Sequence, residues 1–131
     1  MSTQTHPPLH ISPPPAATGV RHVSVFERVR YVPGEVHGAI LLQNERLRQV
    51  LFCVAAGNDL PRHRATCDVA VTVIEGAGTL VLDDGAPLRL RPGVHLVMPE
   101  GTPHAVEAET DLALLATFAS PTPAIHFLDD E

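Results

Sequence analysis

The most regular feature of the chain is a succession of short apolar runs separated by turn residues. Residues 69–74 read Val-Ala-Val-Thr-Val-Ile, a β-branched stretch that suits a strand and loses side-chain freedom in a helix. Residues 79–82 and 88–91 flank Asp83-Asp84-Gly85, whose Asp-Gly step supplies the positive φ of a tight hairpin turn. Residues 47–55, 94–98 and 112–118 are further apolar runs of strand length, and 22–26 and 36–42 are weaker ones. Pro33-Gly34, Gly57-Asn58, Gly76, Asp84-Gly85, Pro92-Gly93 and Pro99-Glu100-Gly101 punctuate these runs. A turn signal roughly every 8–12 residues predicts a barrel or sandwich of short antiparallel strands. No window longer than about ten residues keeps a helical period without Gly or Pro. The expected class is all-β.

The two ends depart from this texture. Pro7, Pro8, Pro13, Pro14 and Pro15 crowd the start, beside Ser, Thr and Gln, and such a segment favours extended conformations with little to bury. The reading is a disordered Pro-rich arm at 1–18, a β-barrel at 19–128 and a short acidic tail at 129–131.

Composition then removes whole classes of function. At 131 residues the chain is one domain. Its 9 basic residues are all Arg, against 15 acidic ones, for a net charge of −6. The absence of Lys excludes Lys Schiff-base chemistry and a phosphate-loop Lys. The negative balance argues against nucleic acid as a partner. No apolar stretch approaches the ~18 residues of a membrane span, and no basic segment followed by an apolar run marks a signal peptide. Cys53 and Cys67 are too few for a disulfide framework. These readings place the protein in the cytoplasm with free thiols. Neither a G-x-S-x-G elbow nor a C-x-x-C pair is present.

Eight His in so short a chain raise the question of which ones converge. One segment runs Gly57-x5-His63 and continues through Ala65 and Val69 to Gly76. A second runs Gly93-x5-Pro99-x-Gly101-x2-His104. Together they resemble the two motifs of the cupin superfamily, G-x5-H-x-H-x3,4-E-x6-G and G-x5-P-x-G-x2-H-x3-N. The resemblance implies a single small cupin barrel, a double-stranded β-helix or jelly roll of the RmlC-like kind, with dimerisation and residues 20–42 as the segment that crosses to a partner copy. It also implies a divalent transition metal (Zn, Ni, Fe, Mn or Cu) held by three His and one Glu. Carried over position by position, His63 and His104 match the first and last ligands. Ala65 stands where the second His belongs, Val69 where the Glu belongs, and Ala108 where the final Asn is usual.

Strand alternation suggests a way to complete the shell. If residues 63, 65, 67 and 69 share one face, Cys67 points inward with His63, and thiolate is a competent ligand for Zn, Cu or Fe. The expected metal ligands are therefore His63, His104 and Cys67, in a pocket lined by Ala65, Val69, Val71, Met98, Phe52 and Phe118. Asp68 has the opposite parity and should face outward. His95 alternates with Leu96 and Met98 and should also face away. Two readings of the pocket stay open. One is a metal-dependent site for a small molecule, as in an oxygenase or isomerase. The other is a metal-free, non-catalytic binding or sensing module, with the two His acting as hydrogen-bonding or acid–base groups and Cys67 as a small buried apolar residue. The i, i+2 arginine pairs (Arg28/Arg30, Arg46/Arg48, Arg62/Arg64 and Arg89/Arg91) form either a solvated outer face or an anion-recognising rim.

Overall fold

The computed structural model describes residues 9–12 and 19–128. Among them the chain forms eleven strands: β1 (Leu9–Ser12), β2 (Val36–Gln43), β3 (Arg48–Val54), β4 (Asp59–Ala65), β5 (Val69–Glu75), β6 (Gly78–Leu82), β7 (Pro87–Leu90), β8 (His95–Met98), β9 (His104–Ala108), β10 (Leu112–Phe118) and β11 (Ile125–Phe127). They make a six-stranded sheet in the order β1-β2-β3-β10-β5-β8 and a five-stranded sheet in the order β11-β4-β9-β6-β7. The non-sequential order is that of a jelly roll, in which the chain passes back and forth between two facing sheets.

The alternating apolar runs explain what lies between the sheets. In β5, Val69, Val71 and Val73 are buried while Ala70 and Thr72 are less so; in β10, Leu112, Leu114, Ala116 and Phe118 form the matching inward row. Each Val, Leu or Phe so buried contributes about 1.5–3 kcal/mol. The exposed ion pairs Arg62–Asp83 and Arg89–Glu109 on the outside contribute at most about 1 kcal/mol apiece. The inner stripes therefore hold the barrel together. The expected hairpin forms β6 and β7, with Gly85 at φ 83°.

A second apolar layer lies on the outer face of the larger sheet. Leu41, Leu51, Cys53 and Ala113 are buried there beneath Val23, Val25, Val29 and Tyr31. Tyr31 donates a hydrogen bond to Glu75 at 2.8 Å, fastening residues 23–31 over the sheet. The weak strand expected at 22–26 is instead replaced by a 3-10 turn over Val25–Arg28. Val23 and Val25 cover a sheet face rather than pair along an edge, while Phe26 is exposed.

One expectation at the N-terminus needs correction. Leu9–Ser12, expected within a disordered arm, forms β1 and pairs parallel to β2, Leu9 opposite Val36 and Ser12 opposite Ala39. These four residues are the proline-free stretch between Pro8 and Pro13. Proline is excluded from central strands but tolerated at the ends of an edge strand. Leu9 packs against the core, which gives the segment something to bury. The remainder of the expected arm and the expected tail at 129–131 lie outside the described residues.

Candidate functional site

His63 and His104 face each other because β4 and β9 are antiparallel and put them in register as a direct cross-strand pair. Their rings lie 4.2 Å apart, centroid to centroid, and tilted by 59°. A register shift between Leu60 and His63 makes this possible. Strict alternation would send Leu60 and His63 to opposite faces, yet both are buried toward the cavity. The irregularity spans Pro61, which lacks the N–H that a regular ladder needs.

The turn preceding β9 fixes the second imidazole. Asp68 faces away from the cavity and accepts the Glu100 N–H at 2.8 Å, and the Gly101 N–H donates to the Ala65 carbonyl at 3.0 Å. Thr102 Oγ1 donates to the Pro99 carbonyl at 2.7 Å. The Thr102 carbonyl is thereby held where it accepts from His104 Nδ1 at 2.9 Å. On the opposite strand, His63 Nδ1 donates to the Pro61 carbonyl at 2.7 Å. A carbonyl can only accept, so both rings carry their proton on Nδ1 when neutral, and each Nε2 presents a lone pair. Neither Nε2 has a protein hydrogen-bond partner among the described residues. Both side chains are nevertheless almost wholly buried, His63 at 6% and His104 at 7% exposure.

The cavity they enter measures about 50 Å³. Phe52, Ala65, Val69, Val71, Met98 and Phe118 line it together with the two His. Alternation did not identify Leu9, Leu60, Ile125 and Phe127, or the deeper Leu80, Val106, Leu114 and Ala116, which complete the wall. Phe127 lies 5.7 Å from the His63 ring. It sits on a three-residue strand, too short to show a period. The wall includes no charged side chain. His95 is exposed and bonded to Thr72 at 2.7 Å, outside the cavity.

The structure does not bring Cys67 to the imidazole pair. β4 ends at Ala65 and β5 begins at Val69 in the other sheet, with a bend at Thr66 and Cys67. The alternation that would aim residue 67 with residue 63 is broken there. Cys67 is buried in the core but does not line the cavity, and burial pushes its thiol above the usual range, away from the thiolate a metal requires. Among the described residues no group of three or more His, Cys, Asp or Glu is placed to hold a metal ion.

A domain model for the cupin domain matches residues 50–118, the stretch that runs from β3 through both His to the end of β10. The chain belongs to the cupin family. Among solved structures, it is similar to an RmlC-like cupin from Desulfovibrio desulfuricans, with 30% identity, 79% of this chain and 100% of the other covered, and a TM-score of 0.70. A double-stranded β-helix protein from Klebsiella pneumoniae shares the fold at TM-score 0.77 and 20% identity over 88% of this chain and 98% of the other. A salicylate 1,2-dioxygenase from Pseudaminobacter salicylatoxidans is similar at 25% identity and TM-score 0.57, over 62% of this chain but only 25% of that longer one. No curated protein matches the sequence. No helix among the described residues is long and apolar enough to cross a membrane.

In this cupin the donor set does not fit a resident catalytic metal. Three protein ligands are the usual minimum for such a site. Here two imidazoles stand beside Ala65 and Val69, whose side chains offer no lone pair.

The pair is also held neutral. Burial first, and the neighbouring His104 second, push the His63 pKa down to about 4 against the opposing pull of the Pro61 carbonyl. Burial likewise lowers His104, against the Thr102 carbonyl. A His whose folded pKa lies below its unfolded value of 6.5 binds its proton more readily when unfolded. Stability is therefore full above pH 6.5 and declines as pH falls toward 4. At about 1.4 kcal/mol per pH unit, His63 accounts for about 3 kcal/mol over that window. Thermal melts from pH 7 to pH 4 should show a steep loss of Tm, and His63→Phe should flatten it. A wild-type profile that stays level down to pH 4.5 would show that the pair is not buried in neutral form.

Proposed function

We propose that this cupin is a non-catalytic binding module that takes up a small uncharged molecule without a resident metal. One observation carries the reading: two buried imidazoles present unpartnered Nε2 lone pairs to an apolar cavity, at the point where Ala65 and Val69 replace the other two ligands of the family motif. No buried side-chain nitrogen or oxygen among the described residues lacks a partner, so the two Nε2 atoms are reachable from the cavity and act as its acceptors for whatever enters. The competing reading, a divalent metal held by His63 and His104 with the rest of its shell from solvent or substrate, has its own support. Nδ1–H bonds to backbone carbonyls are the arrangement that orients metal-bound His, and a dioxygenase is among the structural relatives.

Elemental analysis of protein purified without a His-tag or chelator separates the two. Well under one equivalent of Zn, Ni, Fe, Mn or Cu is expected per chain, and no rise in Tm when their salts are added. Near-stoichiometric metal that disappears in His104→Ala would overturn the proposal and direct attention to oxygenase and isomerase assays.

A further inference from the structure

Within that reading, on which this inference rests, we infer that the ligand is a neutral phenol whose hydroxyl donates to the His63/His104 pair and whose ring lies among the cavity's phenylalanines. Polarity is the first argument. With both Nδ1–H groups tied to carbonyls at 2.7 and 2.9 Å, the pair offers acceptors only. A ligand carbonyl, ether or carboxylate oxygen would meet lone pair with lone pair, so the ligand must bring O–H or N–H.

Charge is the second. No Arg enters the cavity wall, and Arg62 and Arg89 are engaged with Asp83 and Glu109 on the outer surface. An aromatic carboxylate such as salicylate would lose its hydration without a counter-charge, at a cost far above any gain from the apolar wall. This separates the cavity from the activity for which the dioxygenase relative is named.

Size and shape are the third. At the roughly 10–15 Å³ that one buried water needs, a cavity of about 50 Å³ has room for about four waters, about a third of the roughly 150 Å³ in which an apolar cavity encloses benzene. A ring therefore enters with its hydroxyl edge at the imidazoles and its far edge in the open mouth. Phe52 and Phe118 meet edge to face at 6.5 Å, and Phe127 flanks His63. Such rings favour a further aromatic over an aliphatic alcohol of equal size. Because the two imidazoles lie only 4.2 Å apart, an ortho-diphenol can donate to both at once. Catechol should therefore bind more tightly than phenol.

The test titrates the full chain at pH 7 with phenol, catechol under anaerobic conditions, anisole and salicylate, by calorimetry or ligand-observed NMR, with metal content measured on the same sample. Phenol should bind about tenfold tighter than anisole, which matches its shape but has no donor. Catechol should exceed phenol, and salicylate should fall below it by about tenfold or more. His104→Phe, with His63→Phe as a second variant and circular dichroism to confirm folding, should erase the phenol-to-anisole ratio. Equal binding of anisole and phenol, stronger binding of salicylate, or no binding of any of the four would overturn the inference while leaving metal-free binding in place. Stoichiometric metal in the sample would instead remove the reading beneath it.

Discussion

Gly76→Ala should leave little folded protein, with a loss of about 4 kcal/mol or more in urea unfolding, against a total of about 5–15 kcal/mol for a domain of this kind. Two effects combine at this position. Gly76 joins β5 to β6 at φ +89°, where an L side chain is strained. A Cβ there would also lie 1.9 Å from the Asp111 carbonyl oxygen, and backbone cannot rotate out of the way as a side chain can. Asp111 is fixed in turn, because its side chain accepts the Ala56 N–H at 2.8 Å and Leu112 opens β10. Gly57→Ala isolates the first effect. Gly57 has φ +81° with nothing within 4 Å of its missing Cβ, so its loss should be confined to about 1–2 kcal/mol. If the two variants unfold at the same urea concentration, close backbone packing at Gly76 is not what makes glycine necessary there.

Restoring the family's ligands gives the second large effect. The double variant Ala65→His/Val69→Glu should bind one divalent metal per chain, at least about a hundredfold tighter than the parent, since two ligands become four. Both positions line the same cavity as His63 and His104. Without metal the variant should melt well below the parent, because Val69→Glu buries a carboxyl in an apolar wall. Added Zn or Ni should reverse that loss, since a ligand that binds only the folded state raises its stability. Elemental analysis and melts with and without metal read both changes. Failure to take up metal in a folded double variant would mean that the two native imidazoles do not converge on a common point with residues 65 and 69.

Much of this is legible in the chain itself, and the limits have physical causes. The β-branched run of β5, the Asp-Gly hairpin between β6 and β7 and the long apolar row of β10 announce themselves because alternation and turn chemistry are local properties. The meeting of His63 with His104 follows from motif spacing, and Val71 and Met98 follow from parity. Parity failed where the strand did not continue. The bend at Thr66 and Cys67 carried Cys67 away from the cavity it was expected to enter, and the irregular register at Pro61 put Leu60 on the same side as His63, three residues on, where strict alternation would separate them. Leu9 and Phe127 escaped because four-residue and three-residue strands hold too little sequence to display a period.

The sequence by itself determined the fold class, the two histidines and the loss of the other two ligands, since each is written in residue identity and spacing over a few positions. Only the tertiary structure decided that Cys67 stands apart, that both chain-terminal strands close the cavity, and that the imidazoles are neutral with Nε2 facing inward. Those properties depend on burial and on carbonyls positioned by turns far along the chain. Sequence spacing carries no information about either until the two sheets have closed on each other.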